Sequence, residues 1–394
     1  MDMNVKIVVG IDASRNRSGG ARAHLIGIIE NFDPELYGVR EVHVWSYQDL
    51  LDALPDRAWL RKHSPHALGQ GLLAQLIWQR FELDKEAKKN GCDIMFATSA
   101  STLSKFSPMV VLSQDMLSYE DGVMSYFGLS KARLRLLLIL WLQNAAFRRA
   151  EGVMFLTRYA AKVIQQSCGA LSNIAYVPHG VGDSFRNIGM RRKWPMAGEP
   201  IVCTYVSSAE MYKHQWFVVE AIAILRKQGH NLRLILIGGG QGKAQKLLTE
   251  SVRRFDPTGT FVSQIKFVSQ QELQSHLSKS NIFIFASSCE NLPVTLLEGM
   301  AAGLPIACSD RGPMPEVLED SGIYFDPENP SSIARAIEQL LVDPNGREQL
   351  ADRARRLAES YSWRECADAT FKFIVDTYWN GKLRQKSWAP DKIC

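Results

Sequence analysis

At 394 residues the chain is too long for one ordinary compact core; single cores stop growing at about 250–300 residues, so two domains are expected. Apolar residues make up 46% and charged residues 22%, ordinary globular usage that argues against long disorder. Lysine and arginine total 46 against 41 aspartate and glutamate, a surplus too small to argue for nucleic acid but suited to anionic ligands or a membrane surface.

The opening stretch "MDMNVKIVVGID" lacks the basic start and long apolar centre of a signal peptide and reads as a first strand. From there short apolar runs alternate with longer amphipathic ones, the pattern of strands linked by helices into parallel sheets. In the first half the strand candidates are "KIVVGI", "REVHVW", "CDIMFA", "MVVLSQ", "GVMFLT" and "NIAYVP", with helices predicted over 20–31, 70–89, 131–149 and 158–167. The segment "KARLRLLLILWLQNAAFRRAEG", 131–152, carries leucines almost all around its helix and so reads as a core helix; a lie along a membrane interface is the alternative. Its apolar run is shorter than the roughly 20 residues a spanning helix needs, and no transmembrane helix is predicted.

Between 177 and 200 periodicity disappears while Pro, Gly and charge rise together, which marks a linker. The second half starts afresh with strands "IVCTYV", "LRLILIG", "IKFV", "IFIFA" and "PIACS", and helices over 213–228, 242–254, 270–279, 293–302, 331–342 and 346–360. The expected organisation is α/β: domains over 1–180 and 200–362, a linker over 181–199, and a terminal helix and tail over 363–394 that would pack back on the first domain. Each domain reads as doubly wound, with a crevice at the carboxyl ends of its strands. The seven cysteines form no CxxC pair or metal-ligand cluster, so neither zinc nor a disulfide framework is expected, and a reducing cytoplasm fits.

Chemistry concentrates in "SSCENLPVTLLEGM", 287–300. Glu290 stands on the loop after a strand, Pro293 suits the first turn of a helix, and Glu298 lies inside that helix among Leu296, Leu297, Met300 and Ala301. Two acceptors so separated can hold hydroxyls at two ends of one extended ligand, while the helix N-terminus between them suits a phosphate. Hydroxyls, phosphates and a ribose together describe a nucleotide sugar; the plain alternative is two solvated glutamates.

A second cluster is "YVSSAEMYKHQW", 205–216, where Lys213 opens a helix and can act as a fixed cation on a leaving diphosphate. A third is "GIDASRNRSGGARAHLIGII", whose paired Gly19 and Gly20 let backbone N–H groups come close to an anion, though its spacing is not the GxGxxG of a dinucleotide site. A fourth is "VVLSQDML", which sets Gln114 and Asp115 at a sheet's ligand edge; Asp115 can position an acceptor hydroxyl or merely cap a turn. The run "LIGGGQGKAQ" fails the GxxxxGK[ST] test, having Ile237 and Ala244 at two required places, so its glycines are expected to let the backbone line a nucleotide pocket. His179 in "VPHGV" reads first as a structural histidine at a hinge.

Glu290 and Glu298 with seven residues between them, followed by "GMAAGLPIACSDRGPMPEVL", resemble the signature of retaining glycosyltransferases of family 4. The resemblance runs from the glycines at 19–20 through "YKHQW" and "SSCENLP" to "YSW" at 361–363, and is most like bacterial members that assemble surface polysaccharide. It implies the GT-B fold, two Rossmann-like doubly wound domains facing across a cleft, the first holding the acceptor and the second the nucleotide sugar. It further implies that Glu298 binds the ribose and Glu290 the sugar hydroxyls near the reacting carbon. Asn291, Leu292 and the neighbourhood of Pro293 would approach the phosphates or sugar, and Gly19 and Gly20 the diphosphate. Ser208 stands where relatives often carry an arginine, and Gln114 lies near where they often carry a histidine. Gly239 and Val268 are placed beside the nucleotide, and Arg15 or Arg17 beside an anionic acceptor.

The expected activity is therefore a retaining, metal-independent, cofactor-free hexosyl transfer. It would run from a UDP-, GDP- or dTDP-sugar to a glycan or a polyprenyl-diphosphate-linked oligosaccharide in O-antigen, capsule or exopolysaccharide biosynthesis. The expected place is the cytoplasm or the inner face of its membrane, with no nucleic-acid partner. A nucleotide-sugar epimerase of the same fold and a catalytically silent nucleotide-sugar-binding protein are the alternatives.

Overall fold

The computed structural model describes residues 6–17, 19–188, 194–196 and 198–387. The chain divides into two compact units: Met1–Tyr119, Phe127–Gly180 and Trp363–Cys394 form unit 1, and Glu120–Tyr126 with Val181–Ser362 form unit 2.

Unit 1 begins β1 (Ile7–Asp12), α1 (Gly19–Glu30), β2 (Val39–Trp45), α2 (Gln48–Asp52) and β3 (Leu60–His63). It continues α3 (Leu72–Phe81), α4 (Leu83–Lys89), β4 (Ile94–Ala97), β5 (Met109–Leu112), α5 (Lys131–Arg149), β6 (Gly152–Phe155), α6 (Arg158–Cys168) and β7 (Ile174–Tyr176). Its seven strands are parallel in the order β3-β2-β1-β4-β5-β6-β7. The central strands are buried along their whole length, as parallel strands covered on both faces must be, which is why they read as unbroken apolar runs.

Unit 2 contains α7 (Asp183–Arg186), β8 (Ile201–Val206), α8 (Gln215–Lys227), β9 (Leu232–Ile237), α9 (Gly242–Phe255), β10 (Val262–Ile265) and α10 (Gln270–Lys279). Next come β11 (Ile282–Phe285), α11 (Val294–Ala301), β12 (Ile306–Ser309), α12 (Met314–Leu318), β13 (Ile323–Phe325), α13 (Pro330–Val342) and α14 (Pro344–Ala358). The sheet order is β10-β9-β8-β11-β12-β13, again all parallel. The final helix, α15 (Trp363–Ser387), belongs to unit 1. There Phe371 stacks on Phe32 with ring centroids 3.5 Å apart, and Trp363 lies so close to Gly27 that a Cβ there would sit 2.4 Å from its ring.

Both sheets reverse direction of growth once, between β1 and β4 in unit 1 and between β8 and β11 in unit 2. Loops leaving the carboxyl ends of strands diverge at such a switch point and leave a crevice for ligands.

Several expectations need correction. The strand placed at "IKFV" is Val262–Ile265, so Lys266, Phe267 and Val268 belong to the following loop. The helix expected over 70–89 is two helices broken at Glu82. Edge strands β3 and β13 were not foreseen. Residues 120–126, expected with the first domain, join unit 2, where Tyr126 donates to Glu328 at 3.0 Å. Of the expected linker, 189–193 and 197 lie outside the described residues, as does the tail from 388.

Candidate functional site

In unit 2 the crevice is framed by the loops after β8 and β11. Tyr205, buried on β8, donates its hydroxyl to the carbonyl of Lys213 at 2.9 Å and so fixes the turn that carries the lysine. That turn ends at His214, whose left-handed backbone (φ 48°) starts α8. The amide of Ser288 donates to the carbonyl of Tyr212 at 2.8 Å, and the His214 Nε2 lies 2.9 Å from the Ser288 hydroxyl. These bonds tie the two loops together across the switch point. They bring Lys213 and Glu290, 77 residues apart in sequence, into an ion pair with both side chains largely buried. The two residues were expected to act on different parts of the donor; the structure pairs them directly.

Pro293 is the N-cap of α11 rather than its first residue, and its carbonyl accepts from Leu296 and Leu297. The helix start beside Glu290 therefore presents N–H groups and a positive dipole end toward the same crevice. Asn291, Leu292 and Pro293 are buried beneath it. Glu298, one turn further along, is half-buried as a residue, and burial alone lifts the pKa of its carboxyl to about 8. Burial thus favours the protonated carboxyl at neutral pH, a form able to donate as well as accept.

The glycine run after β9 closes the crevice floor. A Cβ on Gly238 (φ 125°) would stand 2.1 Å from the Ser207 carbonyl oxygen, and one on Gly240 2.5 Å from that of Ala209. Only glycine lets these two backbones touch. Gly239 accepts from the Ala209 amide at 3.2 Å, which places it beside exposed Ser208, while Val268 follows β10 at the same sheet end. Two groups not singled out from sequence adjoin the pair. Gly312 approaches the Glu290 amide, and Arg311 before it forms ion pairs with Asp310 and Asp326 that raise its pKa. Both follow β12, and nothing in their spacing betrayed the neighbourhood.

In unit 1 the loops after β1 and β4 flank the second switch point. Buried Asp12 accepts from the Ser14 hydroxyl at 2.6 Å, Gln79 at 2.6 Å and Thr102 at 3.1 Å, locking the turn that precedes Arg15. Arg15 is half-buried and its Nε has no hydrogen-bond partner; burial outweighs nearby Asp12 and lowers its pKa. Arg17 is committed elsewhere, donating to the Tyr47 hydroxyl at 2.8 Å while its guanidinium covers the Tyr47 ring. Gly19 takes φ 62° as α1 begins, with Gly20 next in the helix. Asp115 accepts from the Leu117 amide at 3.0 Å and from Gln143 at 3.5 Å, so it does shape its own turn, and burial raises its pKa. Gln114 donates to the Thr98 carbonyl. His179 is buried and stacks on His24 at 4.7 Å; burial holds both neutral, which suits a structural role. Among the described residues no group of three His, Cys, Asp or Glu side chains gathers as a metal site.

Residues 188–357 match the family "Glycosyl transferases group 1". The O-antigen chain mannosyltransferase B of Escherichia coli is 23% identical over 224 residues, 57% of this chain and 57% of that protein, so the chain's match spans under two thirds of that curated relative. Among solved structures, sucrose-phosphate synthase from Thermosynechococcus elongatus superposes with TM-score 0.71 at 16% identity, covering 97% of this chain and 99% of that one. Anabaena HepE in complex with UDP and glucose gives 0.64 at 17% identity, covering 98% and 100%. These likenesses establish the fold: two Rossmann-like parallel-sheet units, the GT-B fold of those structures.

Proposed function

We propose that this chain is a group 1 glycosyltransferase that moves a hexose from a nucleotide sugar to a glycan or lipid-linked oligosaccharide, with retention at the anomeric carbon and without a metal. The observation that carries the reading is the Lys213–Glu290 pair at the switch point of unit 2, beside the α11 N-terminus. The group 1 match over 188–357 and the UDP bound by HepE favour a nucleotide-sugar donor. The likeness to an O-antigen mannosyltransferase favours surface polysaccharide as the setting.

In this mechanism an arriving diphosphate draws Lys213 away from Glu290. The ammonium and the α11 amides hold the leaving phosphate, and the freed carboxylate accepts the sugar hydroxyls beside the reacting carbon. The bond from the anomeric carbon to the diphosphate oxygen breaks with its electron pair going to the phosphate. The acceptor oxygen bonds to the same face, and its proton passes to the departing phosphate oxygen. Glu298 holds the ribose, and Gly239, Ser208 and Val268 border the base and ribose. Arg15 and Asp115 receive the acceptor.

The test is a thermal-shift panel of UDP, GDP and dTDP sugars, because a bound donor stabilises by mass action, followed by turnover with and without acceptor. One donor should raise the melting temperature, and Glu290→Ala should abolish transfer. Conversion of donor alone to an isomer, or undiminished turnover in Glu290→Ala, contradicts the reading.

A further inference from the structure

Helix α5, expected as a core helix, buries one side only: Leu136, Gln143, Ala146 and Phe147 are buried, while Leu134, Leu138 and Trp141 are exposed. Its inner side sets Gln143 against Asp115 and Ser101, and Arg135 stands within electrostatic reach of both Asp115 and Arg15. The helix thus delivers two polar groups to the carboxyl ends of β1, β4 and β5.

Arg15 is the unbalanced residue at this sheet end. A guanidinium so far withdrawn from water ordinarily has an acid or carbonyls upon it. Among the described residues no hydrogen bond or ion pair engages the Arg15 side chain, and its Nε is shut off from water. The two nearby acids are already engaged. One oxygen of Asp12 accepts from the amide and hydroxyl of Ser14, and the other from Gln79 and Thr102. Asp115 accepts from the Leu117 amide through one oxygen and faces Gln143 with the other. Arg135 and Arg17 add positive charge that repels Arg15, and Arg135 has no ion pair among the described residues.

Gln143 brings the opposite deficit. Its Nε2 donates to Ser101, but its Oε1 is buried without a donor, on a residue 3% exposed. An unpaired charge and an unpaired acceptor each cost stability, and here they stand at one sheet end on a fixed frame. Gln114 donates to the Thr98 carbonyl and the Thr98 hydroxyl to Asn16, so the loops after β1, β4 and β5 are bonded to one another.

The two deficits describe one ligand. Guanidinium forks match the oxygens of a phosphate. A phosphate monoester carries about −1.5 to −2 at neutral pH, enough to balance two arginines, whereas a carboxylate carries a single charge. A hydroxyl on the group attached to that phosphate supplies the donor that Gln143 lacks. Arg17 stays outside, since it is held over the Tyr47 ring.

We infer that Arg15, Arg135 and Gln143 form a subsite of unit 1 for a glycosyl phosphate, the arginines holding the phosphate and Gln143 a hydroxyl of the attached sugar. That this ligand is the acceptor rests on the transfer reading; the acceptor is then a sugar joined directly to phosphate, with Asp115 beside it, and a neutral glycan is excluded.

The test uses the full chain with glucose, mannose and N-acetylglucosamine 1-phosphates, inorganic phosphate and pyrophosphate, farnesyl diphosphate, methyl glucuronide and methyl glucoside. Phenylglyoxal labels accessible guanidiniums, and peptide mass spectrometry reads each arginine by itself, so phosphate bound in unit 2 does not enter the result. Pyrophosphate and at least one sugar phosphate should slow the labelling of Arg15 and Arg135 by at least about tenfold, an effect that fades at high salt, while Arg57 labels as before. The best sugar phosphate should protect at lower concentration than inorganic phosphate. By calorimetry, Arg15→Gln/Arg135→Gln should weaken its binding by at least about tenfold, with urea midpoints confirming the fold; Arg135→Gln alone, at an exposed position, serves if the double variant does not fold. Farnesyl diphosphate protecting better than pyrophosphate assigns the phosphate to a lipid carrier, and equal protection assigns it to a free sugar phosphate. No protection by any phosphate, equal protection by methyl glucoside or methyl glucuronide, or no preference for any sugar phosphate over inorganic phosphate overturns the inference. Thermal shifts with nucleotide sugars keep the two readings apart: a bound donor without protection of Arg15 removes this inference alone, and protection without a bound donor removes the transfer reading alone.

Discussion

Replacing Glu298 by glutamine separates a buried acid from a solvated one. Between the ordinary carboxylate value of 4.5 and about 8, the folded protein keeps a proton that the unfolded chain has already released. The unfolded state then binds fewer protons than the native one, so stability falls as pH rises, by about 1.4 kcal/mol for each pH unit in that window. The accumulated penalty reaches the order of 5 kcal/mol near pH 8 and stays constant above it. Glutamine keeps the shape and cannot ionise. The unfolding free energy of Glu298→Gln minus that of the parent should therefore climb by several kcal/mol between pH 5 and 8, measured by urea titration at each pH; every other titrating group cancels in the difference. A flat difference would show that the carboxyl is solvated and that the placement of α11 against the crevice is misread. The same protonation has a functional consequence under the proposed mechanism. Ribose hydroxyls that donate to Glu298 favour its carboxylate, so nucleotide binding at pH 7 should release up to one proton in the parent and none in the variant. Calorimetry in two buffers of different ionisation enthalpy reads this directly.

Lys213→Ala should cut transfer by about 10²–10³-fold through loss of the cation on the leaving phosphate. It should also lower stability by about 1–3 kcal/mol, because Glu290 is left largely buried without its partner; wild-type turnover in the variant would remove the lysine from the mechanism. Gly238→Ala should cost at least about 3 kcal/mol, since the methyl group would overlap the Ser207 carbonyl at a φ that alanine avoids. A urea midpoint unchanged from the parent would refute that close approach. Below pH 6.5 the trend reverses. His24 is held down to about 3, His214 to about 4 and His179 well below the ordinary value, so the unfolded chain takes up three protons that the native state refuses. The histidine contribution should be full above pH 6.5 and fall by up to about 4 kcal/mol for each pH unit below it. The Glu298 carboxyl opposes it by about 1.4 kcal/mol per unit down to pH 4.5, so the net fall should be about 2.7 kcal/mol per unit; no net fall in that window would mean that no more than one of the three is buried neutral.

Most of the fold was legible in the sequence for one physical reason: a parallel strand covered on both faces is an unbroken apolar run, and the helix between two such runs must be amphipathic. Runs such as "IVVGID" and "IFIF" declared themselves by composition alone. Strand β3, "LRKH", did not, because an edge strand pairs on one side only and tolerates the charges that hide it. The break at Glu82 escaped for a similar reason, since helical periodicity continues through it.

For the site, the sequence determined the chemistry available: two glutamates about a helix start, a lysine after a strand, and glycines where backbones meet. Tertiary structure decided who faces whom. The meeting of Lys213 with Glu290 depends on β8 and β11 being neighbours in the sheet, a pairing of residues 77 apart that no local pattern encodes. The direction in which α5 turns its leucines was also beyond the sequence, because leucines nearly all around a helix leave its buried side undefined until Gln143, Asn144 and Phe147 find their partners. Composition fixes what each segment can bury, but only the packed chain chooses which surface is left for water, substrate or lipid.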